Sequence, residues 1–201
     1  MKFFTLNFDD KRENNVKEEL RDASKNGHLE VVKYLCEQYQ LTIEDIRSGK
    51  NHALRWASEN GHLEVVKFLC ETYPLTIEDI QSCDNYALIW ASKNGHIEVV
   101  KYLCESYRLT IEDIRTWNYK ALIWTSGNGH IEVVKYLCET YELTIEDIRS
   151  EDNYALRFAS EFGHIEVVKY LCETYGLTIE DIRSMDNWAL QFASGSGQIF
   201  M

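Results

Sequence analysis

Five histidines are the first residues of this chain whose type and spacing suggest chemistry. Each follows the previous one after 34 residues, and a histidine can ligate a metal ion or act as a general acid or base near neutral pH. A metal site needs several ligands that converge on one point, and no second ligand recurs at helical spacing from these histidines. We therefore predict a structural role, without metal or cofactor, for His28, His62, His96, His130 and His164.

Cysteines recur with the same 34-residue spacing, and residues so related are called a column below. Neighbours in a column of packed helices lie roughly 10 Å apart, whereas a disulfide needs Cα atoms within about 7 Å. We predict small buried hydrophobes in a reduced compartment at Cys36, Cys70, Cys104, Cys138 and Cys172. The sixth cysteine, Cys83, lies in a variable column and is predicted to be exposed and free.

Paired carboxylates could serve as acid and base or hold a divalent ion, and a Glu-Asp pair occurs in every repeat. A catalytic pair needs two different environments, which identical pairs do not provide. We predict a solvated edge combined with helix caps, because Thr110 and Asp113 have the spacing of a capping box. The pairs are Glu44-Asp45, Glu78-Asp79, Glu112-Asp113, Glu146-Asp147 and Glu180-Asp181.

An internal repeat positions all of these residues. The segment that begins Ala-Ser-Lys-Asn-Gly-His at Ala23 returns at 57, 91, 125 and 159 with few changes, and a sixth copy begins at Ala193. A unit of this length cannot bury its own apolar face, so copies must stack. We predict an N-terminal segment and capping helix over 1–22, five repeats over 23–192 and a truncated sixth repeat over 193–201.

Each repeat is predicted to contain two helices. In the third copy, Ile97, Val100, Leu103 and Cys104 form the apolar stripe of the second helix. The first helix is shorter, and its small residues allow close approach of neighbouring helices. Gly95 between the helices is predicted to adopt a left-handed C-cap, with His96 bridging backbone groups of the turn.

The net charge of −12 and the pI near 5.0 argue against binding to nucleic acid or to an anionic membrane. A partner is expected to be neutral or basic. No apolar run approaches membrane-spanning length, so the sequence predicts a soluble, intracellular protein.

The two ends of the chain depart from the repeat. At the N-terminal end, Glu18, Glu19, Arg21 and Asp22 replace apolar residues of later copies, as a capping helix requires, while Leu20 keeps an inward position. The alternating Phe4, Leu6 and Phe8 are predicted to lie against this cap as an extended segment. At the other end, the sixth repeat leaves the last layer half covered, by fraying or for contact with another molecule.

The recurring Asn-Gly-His-x-Glu-Val-Val-Lys-Tyr-Leu, followed by Asp-Ile-Arg-Ser-x-Asp-Asn-Tyr-Ala-Leu-x-x-Ala-Ser, resembles the ankyrin repeat over residues 13–197. Within that family, Tyr-Ala-Leu-Arg-Trp-Ala-Ser is similar to the ankyrin arrays of large amoeba-infecting DNA viruses. The resemblance implies an all-α, ankyrin-repeat-like solenoid of stacked helix pairs with short projecting loops.

The family's Thr-Pro-Leu-His is replaced here by Tyr86-Ala87-Leu88-Ile89 or a variant. The start of the first helix is therefore assigned to N-caps at Asp84, Asp152 and Asp186, or the Asn that follows each. The finger is the loop that projects between consecutive helix pairs. The segment that leads into it is longer here than in the family, which predicts a helical turn and a short extended tip.

Columns that vary between repeats indicate where a partner would bind, because packing has not imposed one residue on them. The resemblance places the finger tips and the first-helix surface in the concave groove of the array. An aromatic set flanked by Lys and Glu is typical of an interface, although the aromatic residues could instead pack on the neighbouring finger. The predicted partner-binding residues are Trp117, Tyr154, Trp188, Tyr86, Met185, Lys120, Glu151, Phe162 and Lys93. By contrast, the column of Trp56, Trp90, Trp124, Phe158 and Phe192 is predicted to be inter-repeat core.

The sequence thus predicts a non-enzymatic protein-protein interaction module, since it contains no nucleophile with an adjacent base, no phosphate loop and no ligand cluster. The viral resemblance implies a host-directed adaptor in the host cytoplasm. The alternative is a structural protein that assembles end to end through its incompletely capped last repeat, so the chain is predicted to be a monomer or a weak homo-oligomer.

Overall fold

The computed structural model describes residues 6–178 and 180–181, and these residues form helices joined by turns. Within them no strand occurs, so the all-α class predicted from the sequence is confirmed. The helices are α1 (Leu6–Lys25), α2 (Leu29–Gln38), α3 (Ile43–Ile46), α4 (Ser48–Glu59), α5 (Leu63–Thr72), α6 (Ile77–Ile80), α7 (Ser82–Lys93), α8 (Ile97–Ser106), α9 (Ile111–Gly127), α10 (Ile131–Thr140), α11 (Ile145–Ile148), α12 (Ser150–Glu161) and α13 (Ile165–Tyr175).

Two compact units divide the chain, Met1–Ala87 and Leu88–Met201, called unit 1 and unit 2 below. In unit 1, α1 packs on α2 and α4, and α5 packs on α4 and α2. In unit 2, α9 packs on α10 and α12, while α10 packs on α8 and α13. Each unit is therefore a stack of helix pairs. The first helices of the pairs are α1, α4, α7, α9 and α12, and the second helices are α2, α5, α8, α10 and α13.

The second helices are held by the predicted apolar stripe. In α8, Val100, Leu103 and Cys104 are buried, and Ile97 is half-buried. Val99 is also buried, although its position lies outside the predicted stripe. The apolar face is wider than predicted because a stacked helix is covered on more than one side.

Small residues bring the first helices together, as the sequence predicted. In unit 2, Ala155, Leu156 and Ala159 of α12 are buried in the core, and Leu122 of α9 lies in the same cluster. Alanine has no side chain beyond Cβ, so these helices approach closely and Leu side chains fill the space between them.

The glycine that ends each first helix is left-handed, with a φ of 76° at Gly95 and at Gly129. The histidine that follows it contacts the preceding repeat, which corrects the expectation of a bridge within its own turn. The His62 Nε2 atom lies 2.9 Å from the Lys25 carbonyl oxygen, and the His164 Nε2 atom lies 2.9 Å from the Gly127 carbonyl oxygen. Each histidine therefore links consecutive repeats.

The Glu-Asp pairs are not merely a solvated edge, because their aspartates cap helices and bind the preceding repeat. Asp147 is 3 % exposed and completes a capping box with Thr144, as predicted for this segment. It also accepts hydrogen bonds from Arg115 and from the Tyr119 hydroxyl of the preceding repeat. Asp79 receives Arg47 Nε and Nη2 in the same way, at 2.8 Å each. The glutamates of the pairs, such as Glu146, are exposed as predicted.

The finger is also different from the prediction of an extended tip. After the short helix, three consecutive residues are left-handed: Glu151, Asp152 and Asn153 have φ values of 51°, 55° and 60°. Asp152 therefore does not act as an extended N-cap. Instead, the Asn153 amide donates to the Asp181 carbonyl oxygen of the next repeat. This bond offsets the strain of left-handed backbone, which asparagine and aspartate tolerate better than most residues.

Equivalent left-handed turns replace the predicted N-cap at Asp84, where φ is 64°. Asp186 lies outside the described residues. At the N-terminal end, the extended segment predicted for Leu6 and Phe8 is wrong, because α1 begins at Leu6. Phe4 lies outside the described residues, and Leu20 is buried as predicted.

None of the six cysteines, all of which lie in the described residues, forms a disulfide. Cys36, Cys104 and Cys138 are buried as predicted, whereas Cys70 and Cys172 are only half-buried. Burial raises the pKa of Cys104 and of Cys138 to about 11. Cys83 was predicted to be exposed but is half-buried, because the Arg55 guanidinium covers it with Nη1 3.3 Å from Sγ.

Candidate protein-binding surface

The prediction that the aromatic column is inter-repeat core is wrong for Trp124 and holds in part for Phe158, which packs against the core of unit 2. Trp124 is 36 % exposed, and Trp56, Trp90 and Phe158 are half-buried. Two helical positions correspond to about 200° of rotation, so Trp124 points away from the fully buried Leu122. The leucine fills the core and the tryptophan lies at the surface. Phe192 lies outside the described residues.

Four aromatic side chains of unit 2, Trp124, Tyr154, Phe158 and Phe162, form what we call the aromatic cluster. Phe158 is its centre, with ring centroids 4.5 Å from Tyr154, 5.7 Å from Phe162 and 5.9 Å from Trp124. The rings meet edge-on or tilted, the arrangements that aromatic pairs prefer. Phe162 is 59 % exposed, so the cluster presents an apolar surface to solvent.

A cleft of about 260 Å³ lies beside the cluster, lined by Asn118, Lys120, Ile123, Trp124, Glu151, Tyr154 and Phe158. The structure thus brings together three predicted site residues, Lys120, Glu151 and Tyr154. Their arrangement places an ammonium group and a carboxylate at an apolar opening. This composition suits a side chain that is apolar along its length and polar at its end.

Phe162 interrupts a capping pattern that the other repeats keep. Asn60 and Asn128 occupy the same column, and their side-chain amides donate to the Trp56 and Trp124 carbonyl oxygens at 2.8 and 2.7 Å. A phenylalanine cannot donate this bond. The exposed ring therefore replaces a local stabilising contact without being needed for the core.

Gly127 is a second departure from the repeat at the same place. Its column carries Lys25, Glu59, Lys93 and Glu161 in the other repeats. A Cβ atom at position 127 would lie 3.0 Å from Phe158 Cδ2. The missing side chain therefore lets Phe158 lie against the end of α9 and shapes the cluster.

Cations cover some of the aromatic faces. The Lys93 ammonium lies 4.0 Å from the Trp90 ring centroid and 5.0 Å from that of Trp124. The Arg157 guanidinium lies 5.1 Å from the Tyr154 centroid. Such contacts hold the cationic side chains in place over the rings. Lys93 therefore borders the aromatic cluster.

Tyr86 is in unit 1, where its surroundings are already occupied. Its hydroxyl donates to Glu59 at 2.7 Å, and the Arg55 guanidinium stacks 4.1 Å from its ring centroid. Burial and the Glu59 carboxylate raise the pKa of Tyr86 to about 12. These contacts favour a structural role for Tyr86, in contrast to the exposed Tyr154 of the same column.

Three predicted site residues lie wholly or in part outside the described residues. Met185 and Trp188 lie outside the described residues, and the side chain of Trp117 in α9 does as well. Conversely, Trp124 and Phe158 belong to the aromatic cluster although their column was predicted to be core. A signal for Phe158 existed, since Tyr154, Phe158 and Phe162 recur every four residues, which places them on one face of a helix.

The described part of the chain contains no group of three or more His, Cys, Asp or Glu residues that could hold a metal ion. None of its helices is long and apolar enough to cross a membrane.

Comparison with known proteins finds that the family model described as "Ankyrin repeats (3 copies)" matches residues 6–79, 73–147 and 107–185. Among solved structures, the chain is similar to a chain in the crystal structure of the yeast ribosomal protein Rps3 in complex with its chaperone Yar1. That match has 27% sequence identity and a TM-score of 0.54, and covers 63% of this chain and 93% of the other. No curated protein sequence matches the chain.

Proposed function

Because the chain belongs to the ankyrin-repeat family, we propose that it is a non-enzymatic interaction module that captures a protein partner on the aromatic cluster. Ankyrin repeats bind protein partners, and the similar solved structure is a complex of a ribosomal protein with its chaperone. The proposed domain organisation is the capping segment 1–22, the five repeats 23–192 and the partial repeat 193–201.

The observation that carries this proposal is Phe162. Its column is otherwise occupied by asparagines that cap the first helix, and its ring is 59 % exposed. Aromatic residues at the centre of a contact typically contribute about 2 kcal/mol or more to binding. Phe162 lacks the capping hydrogen bond of the asparagines and exposes a large ring to solvent. Contact with a partner best explains a residue with both properties.

The proposed partner inserts a side chain that is apolar along its length and polar at its end into the cleft that Lys120 and Glu151 help to line. The whole chain has a net charge of −12. This charge favours a neutral or basic partner, because like charges slow association. Trp117, Met185 and Trp188 remain proposed contacts. The narrower proposal of a host-directed viral adaptor in the host cytoplasm is supported by the sequence resemblance alone.

The test compares the wild-type chain with Phe162→Asn, which restores the residue of the other repeats. Both proteins are immobilised, exposed to cell lysate, and the bound proteins are quantified by mass spectrometry. At least one protein should bind to wild type, and the amount of it that is bound should be tenfold or more lower with Phe162→Asn. Thr72→Asn is the control, because Thr72 is exposed, lies in unit 1 and is not part of the aromatic cluster.

The Asn variant should keep its helical content and melting temperature, since Asn128 makes the same cap in the preceding repeat. If every protein retained by wild type is retained equally by Phe162→Asn, the aromatic cluster is not the binding surface.

A further inference from the structure

Helix α2 has an exposed apolar face that the other second helices bury. Val31 is 46 % exposed and Tyr34 is 59 % exposed, and Tyr39 at the end of the helix is exposed as well. The equivalents of Val31 in unit 2 include Val133, which is 1 % exposed, and Val167, which is fully buried. We call Val31, Tyr34 and Tyr39 the α2 face.

The difference follows from the order of the helices. In unit 2, α10 packs on the preceding second helix α8, and α13 packs on α10. Helix α1, which precedes α2, is a first helix and packs on α2 and α4. In the described part of the chain no second helix precedes α2. Helix α1 thus covers the first-helix layer and leaves the second-helix layer open.

The equivalents of Tyr34 and Tyr39 in unit 2, the half-buried Tyr170 and Tyr175, show what fits such a face. The Tyr170 hydroxyl lies 3.5 Å from a Glu139 carboxylate oxygen, and the Lys135 ammonium lies 5.6 Å from the Tyr170 ring centroid. The hydroxyls of Tyr170 and Tyr175 both interact with the Cys138 thiol. The complementary helix therefore carries a lysine, and a cysteine and a glutamate three and four residues further on.

The same contacts recur one repeat earlier and in unit 1. The Tyr136 hydroxyl lies 3.5 Å from Glu105, Tyr136 and Tyr141 interact with the Cys104 thiol, and Tyr73 interacts with the Cys36 thiol. The pattern therefore recurs in two successive pairs of second helices in unit 2, and its contact between the last tyrosine and the thiol recurs in unit 1.

We propose that the α2 face binds helix α13 of a second copy of this chain, so that copies join head to tail. Helix α13 carries Lys169, Cys172 and Glu173 at the spacing that the α2 face requires. Glu173 is exposed, and Cys172 is half-buried where Cys138 is buried. The contact would reproduce between copies the packing of α13 on α10 within unit 2.

Such a contact joins two different surfaces, so it can add further copies and the mass should keep rising with concentration. The inference is independent of the proposed partner-binding function, because the α2 face shares no residue with the aromatic cluster.

The first experiment measures the mass of the full chain by light scattering over a wide range of concentrations. Wild type should rise from the monomer mass of 23.6 kDa to that of dimers and larger species. The double variant Val31→Lys/Tyr34→Glu should stay monomeric with unchanged helical content, because both side chains are exposed. Ser106→Glu, which adds a charge at an exposed residue outside both the α2 face and the aromatic cluster, is the control and should associate as wild type does.

The second experiment tests the register of the contact. Tyr34→Cys places a thiol beside the main chain, at the position whose equivalent in unit 2, Tyr170, reaches the Cys138 thiol with the far end of its side chain. A bifunctional maleimide that spans the length of the replaced tyrosine should give cross-linked dimers of this variant, and they should be lost when Cys172→Ser is added. A wild type that stays at monomer mass at all concentrations overturns the proposal. So does association that survives the double variant, or crosslinking that survives Cys172→Ser.

Discussion

The substitution Asp147→Asn tests whether the buried aspartates join consecutive repeats. One carboxylate oxygen accepts from Arg115 Nε at 3.0 Å and from the Tyr119 hydroxyl. The other accepts from the Thr144 backbone N–H at 2.8 Å and from its hydroxyl at 3.0 Å. Four donors therefore converge on two oxygens, and an asparagine must point an N–H₂ group at one of these pairs.

The expected loss of stability is the sum of what the two carboxylate oxygens of Asp147 contribute. Loss of a helix cap costs about 1 kcal/mol, and a buried polar group that loses its partner costs about 1–3 kcal/mol. Arg115 is largely in solvent, where screening weakens its ion pair, so we assign no separate stability to it. We expect Asp147→Asn to lower the free energy of unfolding by about 2–4 kcal/mol.

Urea unfolding followed by circular dichroism at pH 7 measures this loss. Glu146→Gln is the matched control, because it removes the same charge from an exposed neighbour and should change stability by less than about 0.5 kcal/mol. Equal effects of the two substitutions would refute the assignment of Asp147 as the inter-repeat link.

The same pair of proteins should respond to pH in a defined direction. Burial alone would raise the pKa of Asp147, but hydrogen bonds from Tyr119, Thr144 and Arg115 lower it below the usual value near 3.8. A carboxylate with a lowered folded-state pKa stabilises the fold above its unfolded pKa and loses that contribution as pH falls through the folded pKa. The difference in free energy of unfolding between wild type and Asp147→Asn should thus be largest at pH 7 and become smaller below about pH 4. A gap that is constant from pH 7 to pH 2 would contradict the charge argument.

Two further predictions concern the turns and the thiols. In urea unfolding, Gly129→Ala should lower the free energy of unfolding by more than Gly176→Ala does. The difference between the two variants should be about 1 kcal/mol or more. Both glycines are left-handed, but only at 129 would a Cβ meet His164, at 2.3 Å from Nδ1, while space at 176 is open; equal losses would show that His164 yields freely. The thiols of Cys104 and Cys138, whose pKa is raised to about 11 by burial, should react with an aromatic disulfide reagent at neutral pH only after denaturation. Rapid modification of either in the native protein would contradict their burial.

Much of the fold could be predicted from particular residues. The stripe of α8, the capping box at Asp113 and the left-handed Gly95 all depend on neighbours within one helical turn, so local sequence specifies them. The left-handed turn at Asp152 and Asn153 could not be predicted, because it is stabilised by a bond to Asp181 in the next repeat.

The candidate site was predicted only in part. Variation between repeats identified Tyr154, Lys120, Glu151 and Phe162, since packing does not impose one residue on those columns. Trp124 was misassigned because recurrence in a column indicates a shared environment without indicating whether it is the core or the surface.

The sequence by itself determined the 34-residue period, the helix pairs and the family, because each rests on local spacing and on repetition. Only the tertiary structure decided which side of each helix is covered, and hence that His164 and Asp147 link repeats, that the aromatic cluster faces solvent and that the α2 face is open. The physical reason is that burial depends on what lies across the stack, and a repeat that is nearly identical in sequence is buried or exposed according to its neighbours.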